Sequence, residues 1–270
     1  MGLFNLNARP GRKTAWALSS MLFLLCIIGY GVTAHIRHQE NPDDNVVPTF
    51  SEMWDGIQRT AFEPDRNDEL RLWVDSLASA KRLGYSLALL SLAILLGLYM
   101  GVFPYLEHIF LRFVLFFDKI PALALLPILF IVFGLGEISK IALILLGVFP
   151  TIALDTYLRA KAIPREQIMK GLTLGASDFE ITYRIVLPQI MPGVLDTIRL
   201  NFKAMILFLI AGESLAASVG LGYRIFVVRR YVAMDIIIPY VIWMSLLAFA
   251  ADVLLRIWIK KRYRWVGGES

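Results

Sequence analysis

Runs of about twenty apolar residues recur along the chain, such as SLALLSLAILLGLYMG and IALILLGVFPTIALDTY. At a rise of about 1.5 Å per residue, a helix of that length covers a hydrocarbon core ~30 Å thick. Segments 16–34, 84–104, 109–133, 139–158, 194–216 and 236–258 all qualify. Of the 270 residues, 57% are hydrophobic and 18% charged, whereas soluble domains carry about 25% charged residues. The expected fold is therefore all-α: a polytopic membrane protein with about six transmembrane helices. The third segment is interrupted by Asp118, Pro121 and Pro127. That predicts a kinked helix facing a bundle interior, where freed carbonyls can find new partners.

The formal charge of +5 is unevenly placed. Arg9, Arg12 and Lys13 precede the first span, and Lys260, Lys261, Arg262 and Arg264 follow the last. Between them, residues 35–75 are rich in carboxylates: Glu40, Asp43, Asp44, Glu52, Asp55, Glu63, Asp65, Asp68, Glu69 and Asp75. The positive-inside rule then puts both termini in the cytoplasm and the acidic segment outside. Lys81 and Arg82, at the outer end of the second span, are a minor exception. The first run ends in HIRHQE rather than in a small-residue cleavage site, so it reads as a retained anchor and not a cleaved signal. In the outer segment, PTFSEMWDGIQRTAF and LRLWVDSLASAKRLGY have apolar residues at helical spacing and read as amphipathic helices. They either cover the outer ends of spans or meet a partner.

Little in the chain suggests chemistry of its own. Cys26 is the sole cysteine, and His35, His38 and His108 have no metal-ligand spacing, so no metal site is expected. GLGEISK lacks the spacing of a phosphate-binding G-x(4)-G-K-[ST] loop. No nucleophile motif or clustered His/Cys/carboxylate set appears, so no catalytic residue is expected. Nor does the modest charge suggest nucleic acid.

The polar interruption from Arg159 to Gln189 becomes the longest inner loop, and it has its own punctuation. Pro164 and Glu166 suit a helix start, and Gly175 suits a left-handed C-terminal stop. Ser177 and Glu180 match the S-x-x-E capping box of a second helix, and Pro188 should end or kink that helix. Helices of about ten residues are marginal alone in water. Leu172, Leu174, Phe179, Ile181 and Ile185 supply apolar surface, while Arg165, Lys170 and Arg184 supply positive charge. Two readings stay open: a loop resting on its own spans, or a docking element for a cytosolic partner.

Gly175, nine residues, Ile185, one more, then Leu187-Pro188 resembles the G-x(9)-I-x-L-P core of the EAA loop. That loop marks permeases of binding-protein-dependent ABC importers. KIPALALLPILFIVFGLGEISKIALILLGVFPTI (119–152), GESLAASVGLGYRI (212–225) and the exit VLPQIMPGVLDTIRL are similar to the subfamily serving nitrate, sulfonates and taurine. The resemblance covers roughly residues 70 to 262. It divides the chain into an anchor and acidic extracytoplasmic segment (1–83), a permease core (84–262) and a cytoplasmic tail (263–270).

The resemblance implies a cytoplasmic coupling helix between spans 4 and 5, seated in a groove of a separate ATPase. Gly175 would be the turn, and Ala176, Ser177 and Asp178 the groove-facing tip. Ile185, Leu187 and Pro188 would fix the return to the membrane. Lys170-Gly171-Leu172 stands where the family usually has Glu-Ala-Ala, so a base replaces an acid. Implied partners are a cytosolic ABC ATPase dimer carrying ATP and Mg, a periplasmic or other extracytoplasmic substrate-binding protein, a second permease copy and lipid. No cofactor is expected on this chain. The implied location is the bacterial inner membrane, and the implied cargo a small, anionic solute. A stand-alone secondary transporter or channel is the alternative, although no inverted halves stand out.

Ionisable residues within spans are costly and face a bundle interior or water. Asp155, Arg199 and Asp252 lie near inner ends and suit structural roles; Lys203 is a further such charge. Asp118 and Glu213 are the candidates for a translocation pathway, with paired structural charges as the other reading. Gly220, Gly222, Arg224, Arg229 and Arg230 fall on the outer side before the last span. They suit a binding-protein contact, an anion or a plain turn.

Overall fold

The computed structural model describes residues 11–41, 44–65 and 68–265. Arg9, Asp43 and the last five residues of the tail lie outside them, as does the side chain of Arg12. Among the described residues the fold is all-α, without strands. The described residues hold 4 helices long and apolar enough to span a membrane singly, and up to 6 spans if each of two bent helix pairs counts as one.

Helix α1 (Arg12–Glu40) is apolar all round between its charged ends and exposes Trp16, Leu22, Phe23 and Leu24, as a lipid-facing helix does. It is held near its end. Ala34 is buried, the Tyr30 hydroxyl donates to the Pro48 carbonyl at 2.7 Å, and Arg37 pairs with Asp44 at 2.6 Å. Helix α2 (Phe50–Ala61) is the expected first amphipathic helix. Thr49 and Glu52 form a capping box at its start, and Met53, Gly56 and Ala61 are buried.

The second expected amphipathic helix is not separate. It is the first half of α3 (Arg71–Val102), a single helix of 32 residues. One helical glycine, Gly84, costs only about 1 kcal/mol and no proline intervenes, so hydrogen bonding runs straight past residue 83. Helix α3 packs along α6 (Glu137–Lys161) through Leu90, Ala93, Leu98, Ile144, Val148, Ile152 and Ala153. Gly97 and Gly101 bring the backbones together: a Cβ on Gly97 would strike the Ala153 carbonyl, and one on Gly101 the Ala160 methyl. This small-xxx-small seam is how membrane helices gain packing without a hydrophobic drive between them.

The third span breaks as its prolines suggest. Helix α4 (Pro104–Asp118) is followed by a 3-10 turn (Ala122–Leu125) and α5 (Leu126–Phe133), with a bend of 87°. The short α7 (Arg165–Thr173) and α8 (Asp178–Glu180) form the long loop. They lead into α9 (Leu187–Leu200), which meets α10 (Phe202–Ala216) at Asn201. Helix α11 (Leu221–Val228) then turns away from α10 by 55°, and α12 (Met234–Arg262) runs back to the loop end, where Asp252 pairs with Arg199.

Candidate functional site

The loop is a helical hairpin with a buried base and an exposed tip. Helix α7 starts after Pro164 and stops at Gly175, whose φ of +83° only glycine adopts freely. The Gly175 N–H donates to the Leu172 carbonyl at 2.9 Å and the Ala176 N–H to the Gly171 carbonyl at 3.0 Å, a Schellman closure. The expected capping box follows: the Glu180 N–H donates to Ser177 Oγ at 3.3 Å, and Glu180 Oε2 accepts from the Ser177 N–H at 3.2 Å. Donation to Glu180 Oε2 from the Ser177 N–H, and secondly from Ser177 Oγ at 3.2 Å, holds the Glu180 carboxyl below the usual carboxylate range.

Of the two outcomes expected at Pro188, an end or a kink, the helix does not end there. The chain widens into a π-helical turn over Ile181–Val186, and Pro188 falls in the first turn of α9. Proline lacks a donor and crowds the carbonyl four residues back. A π-turn moves hydrogen bonding to the fifth residue and lets the helix pass without breaking.

The π-turn anchors the hairpin. Ile181, Thr182 and Val186 are buried, Ile185 and Leu187 are half-buried, and the Tyr183 and Tyr99 hydroxyls share a 2.7 Å hydrogen bond. That bond raises the Tyr183 phenol above its usual pKa. Gly171 is buried because α7 leans on this turn; a Cβ there would sit 3.0 Å from Ile185 Cδ1. The apolar residues expected in the loop thus divide. Ile181 and Ile185 face the spans, while Leu174 (88% exposed), Phe179 (64%), Leu172 and Met169 face out. Lys170, Ser177 and Asp178 are exposed beside them, and Ala176 is half-buried.

At the opposite end, charge is buried instead. Glu213 is fully enclosed: Oε1 accepts from Ser79 Oγ at 2.7 Å and Arg82 Nη1 at 2.6 Å, and Oε2 from the Gly222 N–H at 2.8 Å. Asp75, also fully buried, accepts from the Gly220 N–H at 2.9 Å, Arg224 Nε at 2.9 Å and the Tyr240 hydroxyl at 3.3 Å. Arg82 also forks onto Glu137 at 2.5 and 2.9 Å and reaches the Val219 carbonyl at 2.9 Å; Lys140 meets Glu137 at 2.9 Å. The network ties α3, α6, α11 and α12 to the bend after α10.

Glu213 therefore sits where it holds the turn before α11. In the sequence Asp75 reads as part of the acidic segment, Arg82 as a charge exception and Arg224 as a residue before the last span, without being joined, and neither Glu137 nor Lys140 is singled out. Their signal was there: Leu72, Asp75, Ser79, Arg82, Ser86 and Leu90 form one buried stripe on α3 at helical spacing. The apparent charge exception at Arg82 is a buried ion pair.

Asp118 lies at the break after α4, half-buried. Its Oδ1 accepts from Thr151 Oγ1 of α6 at 3.1 Å, and its Oδ2 from Lys119 Nζ at 2.8 Å. Asp155 pairs with Arg159 at 2.7 Å and accepts from Thr197 at 2.8 Å, while Arg199 bridges Asp196 at 2.8 Å and Asp252 at 2.7 Å. Lys203 is exposed. Structure and site together define a bundle of membrane-length helices with a helical hairpin projecting from one end.

Residues 93–264 match the binding-protein-dependent transport system inner membrane component family, and the chain belongs to it. It is similar to the taurine transport system permease protein TauC of Escherichia coli (strain K12), 29% identical over 197 residues, 73% of this chain and 72% of that protein. A putative ABC transporter permease protein of Methanocaldococcus jannaschii is 32% identical over 194 residues, 71% of this chain and 72% of its own length. The putative aliphatic sulfonates transport permease protein SsuC of Escherichia coli (strain K12) is 30% identical over 146 residues, 53% of this chain and 56% of that protein. Among solved structures, a chain from inward-facing crystals of the MetNI methionine ABC transporter superposes with a TM-score of 0.53 at 21% identity. The match covers 68% of this chain and 96% of that one, and it is a likeness of fold. The chain is thus an ABC-importer permease of the nitrate, sulfonate and taurine type: a transport subunit and not an enzyme, in a family whose ATPase is a separate subunit.

Proposed function

We propose that this chain is the translocating subunit of an ATP-driven importer for a small anionic solute of the sulfonate type. The hairpin carries the reading: its base is packed against the spans while Leu174 and Phe179 stand in the open. An apolar tip on a rigid base suits insertion into a preformed groove. Gly175 turns the chain, Ala176, Ser177 and Asp178 lie at the tip, and Gly171, Ile185, Leu187 and Pro188 hold the base. The partner is a cytosolic ABC ATPase dimer, which binds ATP and Mg; this chain needs no cofactor.

In this reading the hairpin and both termini are cytoplasmic and the buried charge network faces outward. There a substrate-binding protein delivers the solute to two permease copies in a bacterial inner membrane, among lipid. Asp118 borders the path, and Glu213 bears on it by fixing the turn before α11. The solute class rests on the taurine and sulfonate transport named for the relatives.

The test is co-purification of the full chain with its ATPase, together with ATP-dependent taurine uptake in proteoliposomes. Leu174→Glu with Phe179→Glu should abolish ATPase retention while leaving the chain folded. Uptake without any ATPase would favour a stand-alone secondary transporter. Lys170→Glu should weaken ATPase binding, since the base beside the exposed apolar tip then becomes an acid; unchanged binding and transport would remove Lys170 from the interface.

A further inference from the structure

Lys119 stands at the break between α4 and the turn at Ala122, and its depth can be counted. Its neighbour Asp118 is hydrogen-bonded to Thr151, which lies fourteen residues after Glu137 and ten before Lys161, the charged ends of α6. At about 1.5 Å per residue these are ~21 Å and ~15 Å. Helix α4 gives the same answer. Glu107 is level with the end of α6, since it accepts from the Tyr157 hydroxyl at 2.7 Å and pairs with Lys161. Asp118 is eleven residues further on, ~16 Å. Both counts reach the middle of a hydrocarbon core ~30 Å thick.

At that depth the Lys119 side chain is 77% exposed, although its ammonium touches Asp118 at 2.8 Å. A lysine facing lipid there is strongly disfavoured, and its four-carbon stem cannot reach an interface ~15 Å away. The backbone around it is also irregular, bent by 87° with Pro121 lacking a donor. Broken backbone at membrane depth occurs where it is buried in protein or lines water. Here Pro121, Leu123 and Ala124 are exposed along with Lys119.

We propose that Lys119 lines the translocation path and is the specificity-determining group that meets the anionic head of the solute. Asp118 is its positioning residue. The carboxylate, itself held by Thr151, fixes the ammonium and offsets part of its charge, so that an anion is recognised without being trapped. This rests on the anionic-solute reading above.

The test uses the full transporter in proteoliposomes with Cys26→Ser as background. The Lys119→Cys thiol should react with a charged, water-borne methanethiosulfonate more than tenfold faster than a Phe23→Cys thiol on lipid-facing α1. With Leu123→Cys as the probe, adding Lys119→Gln should lower the rate ratio of anionic sulfonatoethyl to cationic trimethylammonium-ethyl reagent about tenfold. If the Lys119→Cys thiol is as slow as the α1 control, Lys119 is covered by a second copy or by lipid, and the proposal is overturned. An unchanged reagent ratio overturns it as well. For taurine, Lys119→Gln should raise KM about tenfold while Lys119→Arg stays near wild type. Cysteine variants that pass the thiol tests, beside a wild-type transporter that moves no taurine, would sink the proposed solute and leave Lys119 in the path.

Discussion

The two ends of the bundle invert the usual rule for what is hidden and what is shown. At the α11 end, Asp75 and Glu213 are wholly buried, and each carboxylate oxygen is met by a donor. At the hairpin end, Leu174 and Phe179 are open to solvent. A buried charge survives only where the same chain supplies its partners, so the first end is complete in itself. Exposed large apolar residues on a rigid support mark an interaction surface, which is what the proposed ATPase docking uses. The contrast separates a region built for integrity from one built for contact.

Substitutions can break this contrast, beginning with the largest expected effect. Glu213→Ala removes the buried acceptor shared by Ser79 Oγ, Arg82 Nη1 and the Gly222 N–H and leaves Arg82 only its Glu137 and Val219 partners, at a cost of about 3–5 kcal/mol. It should lower the melting temperature in detergent steeply, whereas Phe179→Ala at the tip should stay within about 0.5 kcal/mol. Comparable losses at the two sites would erase the distinction. Next comes the seam between tip and base. Gly171→Leu overpacks α7 against Ile185 and should cost about 1–3 kcal/mol, with uptake falling further than stability because the tip is displaced. A mutant that melts early yet transports normally would contradict that order.

The smallest effect is local. Ser177→Ala removes the cap and should cost about 1 kcal/mol, read as faster hydrogen exchange at the Glu180 amide. The same cap depends on pH with a defined sign. The Glu180 pKa is depressed in the folded chain, so its contribution is full above the ordinary carboxylate value and is lost as pH falls through the folded value. The protection factor of the hairpin amides, measured against the intrinsic rate at each pH, should therefore fall at acid pH in wild type and not in Glu180→Gln.

Much of this was readable in the residues, and what was readable was local. The spans, the Gly175 stop and the Ser177–Glu180 cap depend on neighbours within about a turn. Pro188 by its own preference ends or kinks a helix. The buried anchors Ile181, Thr182 and Val186 favour continuity, and the π-turn reconciles the two. The boundary at residue 83 corresponds to no structural break, since the polarity change in LRLWVDSLASAKRLGY reflects a buried polar stripe and not a loop. Glu213 was noticed as a charge at membrane depth, but its partners were not.

By itself the sequence determined that the chain is a membrane helix bundle with a capped hairpin at one end. Periodicity, caps and a positive-φ glycine need no distant contact. Tertiary structure alone decided which charges became enclosed pairs, because Glu213 meets Ser79 and Arg82 across separations of 134 and 131 residues. It also decided which apolar loop residues turn inward and which remain outside. Burial is a property of what packs on a side chain, and no residue carries that information alone.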